Sequence, residues 1–288
     1  MRKELIIIIF AATLLVTAYP GMVSAESAPA VQKALENAKA YIDDLVTAKD
    51  DNTTNALALR IETFRQVLDL SSAETKDLEF KLLTIDKDER FETWKQNALS
   101  GLAYALAYYD SERDLLSGEG SIDSEKITSI AKDFKEWRES TYLPLVSQIQ
   151  NFVLLKQEIK AIQVAEKRLQ KVNENLVALG FNPDGKDFSK YILKAKTSIG
   201  EASKLNKEAE DLFVSLHVAL SADTATSSPN EATLSATSTH GTNATSTPPS
   251  PSPATSIKDL IKSSLDKIRD AYQSFLDVSG LVRKLLKR

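Results

Sequence analysis

Two stretches of this chain place apolar residues at intervals of three and four. The first runs through Leu145, Ile149, Phe152, Leu155, Ile159, Ile162, Ala165, Leu169, Val172, Leu176 and Leu179. The second runs through Phe188, Ile192, Ala195, Ile199, Ala202, Leu205, Ala209, Leu212 and Leu216. At 3.6 residues per turn such positions share one face of a helix. Between the stripes lies Gly180-Phe181-Asn182-Pro183-Asp184-Gly185, in which proline presets one dihedral and glycine permits a positive one. The pattern predicts an antiparallel helical hairpin with arms of about 34 residues, ~50 Å long at ~1.5 Å per residue. Its mix of threes and fours is close to a coiled-coil heptad and equally suits ordinary bundle packing.

The same periodicity organises the chain upstream. Val31, Leu35, Ala38, Ile42 and Leu45 predict a helix ending near Ala48, followed by a polar break over Asp50 to Thr54. Leu57, Ile61, Phe64, Val67 and Leu68 predict a second. Ser71-Ser72-Ala73-Glu74 has capping-box spacing, which reads as a restart into a short helix through Leu82. Asp86 and Glu89 repeat that spacing before a helix from Phe91 to about Leu116. Within it Ala98, Gly101 and Ala105 make a strip of small residues that lets another helix approach, flanked by Tyr104 and Tyr108 one turn apart. Core packing is the expected use of these tyrosines; an aromatic sugar-binding face is the functional alternative. After the loop Gly118-Glu119-Gly120, Asp123 is positioned to cap a helix whose apolar face is Ile127, Ile130, Phe134 and Trp137. Pro144 lacks an amide hydrogen, so it kinks this helix or opens the next, with a break expected near Thr141.

Ser221 to Thr255 differs in kind, being almost entirely Ser, Thr, Pro and Ala. It carries too little apolar surface to offset chain entropy and is expected to be a disordered linker. Asn243-Ala244-Thr245, and Asn52-Thr53-Thr54 upstream, match the glycosylation pattern that such stalks often use, although a plain spacer is the simpler reading. Ser256, with Asp259 three residues on, then caps a last helix. Its stripe is Ile257, Leu260, Ile261, Leu265, Ile268, Tyr272, Phe275, Val278, Val282, Leu285 and Leu286. The expected fold is therefore all-α: a helical bundle over 26–220 ending in the long hairpin, a disordered Ser/Thr/Pro linker over 221–255, and a separate amphipathic helix over 256–288.

The first 25 residues bear on location. Arg2 and Lys3 precede the uncharged apolar run Leu5 to Tyr19, Pro20 and Gly21 end it, and Val23-Ser24-Ala25 offers the small residues of a cleavage site. This is the layout of a secretory signal, and the run is shorter than the ~20 residues of a spanning helix. The expected location is outside the inner membrane: periplasmic, cell-surface or extracellular. Cysteine is absent from all 288 residues. That removes a disulfide framework and the thiol that lipid attachment after a signal would use. Hydrophobic content of 42% and only nine glycines favour long helices with a packed core.

The formal charge of −4 hides an asymmetry. Residues 257–288 carry eight basic and four acidic groups, a net of +4, and residues 26–256 carry −9. Such charge separation fits contact with an anionic surface, or attraction between the two parts. Arg283, Lys284, Lys287 and Arg288 crowd the last turns and are the candidate binding residues. Three readings apply to the helix that carries them: contact with an anionic membrane or polymer, self-association as a coiled coil or docking onto the acidic bundle, or merely complementing the helix dipole. Eight basic and four acidic residues exclude a spanning role for this helix.

No catalytic, metal or cofactor site is expected. Without cysteine, thiol nucleophiles and thiolate metal centres are impossible. The two histidines are His217, in a helical run, and His240, in the linker, so neither a zinc-hydrolase helix nor a di-iron bundle pattern can be built. The pairs Asp43-Asp44 and Asp50-Asp51 read as solvated faces, and after Asp86 the sixth position is Phe91 where a calcium loop needs glycine. The sequence thus predicts a non-enzymatic interaction or scaffold protein that associates through its last helix, with a protein or anionic envelope partner and no nucleic acid. A ligand-binding bundle with a pocket near the 91–116 helix is the alternative, and an enzyme of unknown class comes third.

Overall fold

The computed structural model describes residues 29–47, 54–117, 122–185, 187–218 and 256–287. The signal run, the loop Gly118-Glu119-Gly120, the linker 221–255 and Arg288 lie outside them. Among the described residues all regular structure is helical, as the apolar spacing requires. The elements are α1 (Pro29–Thr47), α2 (Thr54–Leu83), α3 (Glu92–Ser117), α4 (Ser124–Trp137), α5 (Leu143–Ala178), α6 (Ser189–Phe213) and α7 (Ile257–Leu285). By contact the chain divides between Val153 and Leu154 into two compact units, so the helices expected as one bundle over 26–220 are shared between them.

The first unit holds α1 to α4 and the opening turns of α5. Its core is aromatic: Phe64, Phe91, Tyr109, Phe134, Tyr142 and Phe152 are all fully buried. The Phe64 and Phe134 rings meet edge to face at 5.4 Å, and Trp94 lies 4.7 Å from Phe152. The small-residue strip on α3 is used for close approach. Ala98 and Ala105 are buried, and a Cβ added to Gly101 would lie 2.8 Å from Leu145 Cδ2.

Three local expectations change. First, α2 does not restart at Ser71; it is one helix of 30 residues. Ser71 and Thr75 are wholly buried within it, and the Thr75 hydroxyl donates back to the Ser71 carbonyl at 2.8 Å. The Ser-x-x-Glu spacing that mimics a cap supplies a buried polar cluster instead. Second, the α3 entry is a 3-10 turn, Glu89–Phe91, capped by Asp88, whose side chain accepts from the Arg90 amide. Asp86, the residue favoured from spacing, is not the cap. Third, the chain does not break at Thr141. A π-helical turn, Arg138–Tyr142, joins α4 to α5, closed by the Leu143 amide donating to the Arg138 carbonyl. The wider turn lies directly before Pro144, the second residue of α5, which has no amide hydrogen to donate.

The second unit takes the rest of α5, with α6 and α7. The α5–α6 turn is a Schellman closure. The Phe181 amide donates to the Leu176 carbonyl and the Gly180 amide to the Val177 carbonyl, both at 2.9 Å, with Gly180 at φ +79°. α5 has 36 residues; α6 has 25 and runs on through a π-helical turn, Val214–Val218. The last helix is separate in sequence, but in space it is the third helix of this unit. Ile268, Ala271 and Phe275 of α7 join Ile162 and Ala165 of α5 and Ala195, Ile199 and Ala202 of α6 in one apolar cluster. No described helix is long and apolar enough to cross a membrane.

Candidate functional site

α7 is built to dock. Ser256 and Asp259 form the expected capping box, with the Asp259 amide donating to Ser256 Oγ at 3.2 Å. The hydrogen bond from the Ser256 hydroxyl holds the Asp259 carboxyl below its ordinary range. Ile257, Ile261, Ile268, Phe275 and Val278 are buried, each worth ~1.5–3 kcal/mol of transfer out of water. The Ser264 hydroxyl donates to the Ala202 carbonyl at 2.9 Å, and Lys267 pairs with Glu201 at 2.6 Å. The Arg168 guanidinium lies over the Tyr272 ring, 5.2 Å from its centre. These contacts fix α7 antiparallel to α6.

A polar layer crosses this unit where Glu158, Asn206 and Ser264 face one another from three helices. Glu158 is 1% exposed, and its Oε2 accepts from Asn206 Nδ2 at 2.8 Å. Its Oε1 is buried without a hydrogen bond of good geometry, since the Ser264 hydroxyl beside it is committed to Ala202. Burial pushes the Glu158 carboxyl upward, partly offset by the Ser264 and Asn206 side chains. One turn away Lys156 and Glu210 make a largely buried pair at 3.1 Å.

The antiparallel order brings the C-terminal ends of α5 and α7 to the hairpin turn. Leu176, Phe188 and Val278 are buried together there, with Phe181, Tyr191, Leu281, Val282 and Leu285 packed around them. Beyond that plug the side chains of Arg283, Lys284 and Lys287 are exposed. Among the described residues none of the three pairs with a carboxylate. Arg288, the fourth residue expected here, lies outside the described residues.

A second cluster, in the first unit, was not singled out from the sequence. Arg138, on the π-helical turn, pairs with Glu74 Oε2 at 3.1 Å and donates to Ser71 Oγ at 3.2 Å. It also lies over the Tyr142 ring, and the Tyr142 and Thr75 hydroxyls share a 2.8 Å hydrogen bond. Burial pushes the Glu74 carboxyl up, and the guanidinium beside it pulls it part of the way back. Burial also raises Tyr109 to about 12; its hydroxyl faces Thr75 and Tyr142 without a hydrogen bond of good geometry. The signal that would have found this cluster is the run of serines and threonines on the inward face of α2.

The remaining candidates are placed as follows. Tyr104 is 62% exposed, whereas Tyr108 stacks on Trp137 at 4.0 Å and Tyr109 takes the core position. His217 is half-buried edge-on to Phe213, and burial lowers its pKa. Among the described residues no three His, Asp or Glu side chains converge as a metal site requires. No family model, curated protein or solved structure matches this chain.

Proposed function

We propose that this is an exported, non-enzymatic interaction or scaffold protein of the cell envelope or extracellular space, whose last helix supplies the contact through its basic end. One observation carries the reading. Most of the apolar stripe of α7 is spent on packing against α5 and α6, while Arg283, Lys284 and Lys287 remain exposed and without a described acidic partner. A helix that served only as a loose sticky terminus would keep its stripe free. A pocket beside α3 has weaker support, because its inward face is filled by Leu145 and by ring-to-ring packing around Tyr109.

The test compares chains of residues 26–288 with and without the substitutions Arg283→Gln, Lys284→Gln and Lys287→Gln. Deleting α7 is a poor comparison, since it uncovers the core. Retention on a sulfated polysaccharide resin, and co-sedimentation with anionic vesicles, are measured at low and moderate salt. Loss of both with an unchanged circular dichroism melt supports the proposal. Unchanged behaviour with both probes refutes it.

A further inference from the structure

We infer that the end of the second unit, where the hairpin turn meets the terminus of α7, is a docking surface for an anionic lipid bilayer. The inference rests on the proposed role of the basic end and names its partner. Cations alone would suit any polyanion. Here they share the end of the unit with apolar side chains that no buried cluster takes up. Val177 and Leu179, at the close of α5, are 63% and 50% exposed, and Leu286, just past α7, is 61% exposed. The apolar plug of Leu176, Phe188 and Val278 sits directly beneath and holds the three segments together. Exposed aliphatic groups and exposed lysine and arginine at one end of the unit match the boundary between acyl chains and phosphates. A hydrated polymer would leave the aliphatic groups without a role.

Charge placement supplies the orientation. Residues 278–288 carry four basic groups and no acid, while 171–190 carry three of each. The chain as a whole is at −4. An anionic surface therefore repels most of the molecule and attracts this end, so approach is selective for orientation as well as for charge. The last-turn cations also complement the dipole of α7, but Val177, Leu179 and Leu286 contribute nothing to that.

The experiment uses residues 26–288, because the apolar leader would itself bind lipid. The chain has no cysteine, so Leu286→Cys creates a single site for an environment-sensitive fluorophore. Vesicles of phosphatidylglycerol with phosphatidylcholine, and of phosphatidylcholine alone, are titrated into the labelled protein. The dye is expected to shift to shorter wavelength with anionic vesicles only. Replacing Arg283, Lys284 and Lys287 by Gln is expected to weaken partitioning about fivefold per charge. Val177→Ser with Leu179→Ser, at exposed positions, is expected to weaken it about tenfold at a salt concentration that already screens the charges.

Three results overturn the inference. Binding that disappears entirely with salt and ignores Val177→Ser and Leu179→Ser makes the partner an anionic polymer or acidic protein; the broader proposal then stands while the lipid assignment falls. A dye that stays water-exposed on bound vesicles places the contact elsewhere on the chain. Neutralising the cations with loss of thermal stability and no change in binding reduces them to servants of the helix dipole, and both proposals fall together.

Discussion

Replacing Glu74 with alanine is expected to destabilise the first unit by about 3–5 kcal/mol, the cost of breaking a buried ion pair by removing one partner. The size follows from where the Arg138 charge would be left. Its side chain is 6% exposed, its guanidinium is 3.1 Å from Glu74, and its other contacts include the Ser71 hydroxyl and the Tyr142 ring, both uncharged. The exposed pair Lys132–Glu136, on α4, is the control: Glu136→Ala there should cost under about 1 kcal/mol. The double variant Glu74→Leu with Arg138→Met should recover most of the loss, because it removes the stranded charge and fills the space with apolar volume. Urea titration followed by tryptophan emission is the assay. Both tryptophans, Trp94 and Trp137, lie in the first unit, and Trp137 stacks on Tyr142 at a centroid distance of 5.9 Å, so the signal reports this unit. A loss for Glu74→Ala no larger than for Glu136→Ala would refute the reasoning, since it would mean that water reaches the guanidinium. Failure of the double variant to recover would show that the pair is held for geometry that apolar side chains cannot supply.

Other perturbations read other parts of the structure. Gly101→Val should cost about 1–3 kcal/mol by tryptophan-monitored unfolding, because the new methyl groups meet Leu145 where even a Cβ would sit at 2.8 Å. Gly180→Ala meets no atom within 4 Å, yet should cost about 1–2 kcal/mol through its positive φ alone, seen as an earlier circular dichroism melt. Glu158 has a folded pKa raised above the ordinary 4.5, so the stability of its neutral form is complete below that value and is lost as pH rises through the raised pKa. Wild type should therefore fall in stability relative to Glu158→Gln as pH is taken upward from 4.5, and parallel pH profiles would refute this. A chain ending at Ala222 should bind an apolar-sensing dye, and a peptide of residues 256–287 added in trans should displace it; no effect of the peptide would refute the docked position of α7.

Element type and most boundaries were legible because burial follows the period of the helix. The stripe from Leu145 falls within α5 as far as Leu176, with Leu179 just past its end; its partner falls within α6 from Ile192 to Leu212, with Phe188 at the N-cap and Leu216 in the π-helical turn; and Ser256 with Asp259 marks the start of α7. What the sequence misleads on is polar residues inside helices. Ser71 and Glu74 satisfy the capping spacing, but a cap and a buried cluster ask for the same residue types, and only the position of Arg138 across the core decides between them. Pro144 announces an irregularity, and no local rule distinguishes a break from a π-helical turn. Tyr104 and Tyr108 share one side of α3, whereas the core position belongs to Tyr109, which follows Trp94, Ala98, Leu102 and Ala105 at intervals of three and four.

The same distinction governs the candidate site. An amphipathic stripe states that a face must be covered and not by what. For α7 the answer comes from polar groups that fix register: Ser264 to the Ala202 carbonyl, and Lys267 to Glu201. An apolar stripe alone would tolerate a one-turn slip, moving Leu265 where Ile261 sits. These polar contacts would not survive such a slip, and Glu158 would then face Leu260 or Ile268 in place of Ser264. Register matters here because it sets how far Arg283, Lys284 and Lys287 project past the hairpin turn: one turn is ~5.4 Å along the axis. A slip toward the N-terminus of α7 would draw the cations back toward Phe188, and away from the end of α5 that carries the exposed Val177 and Leu179. The buried polar layer is thus the feature that ties the packing of the second unit to the chemistry of its exposed end.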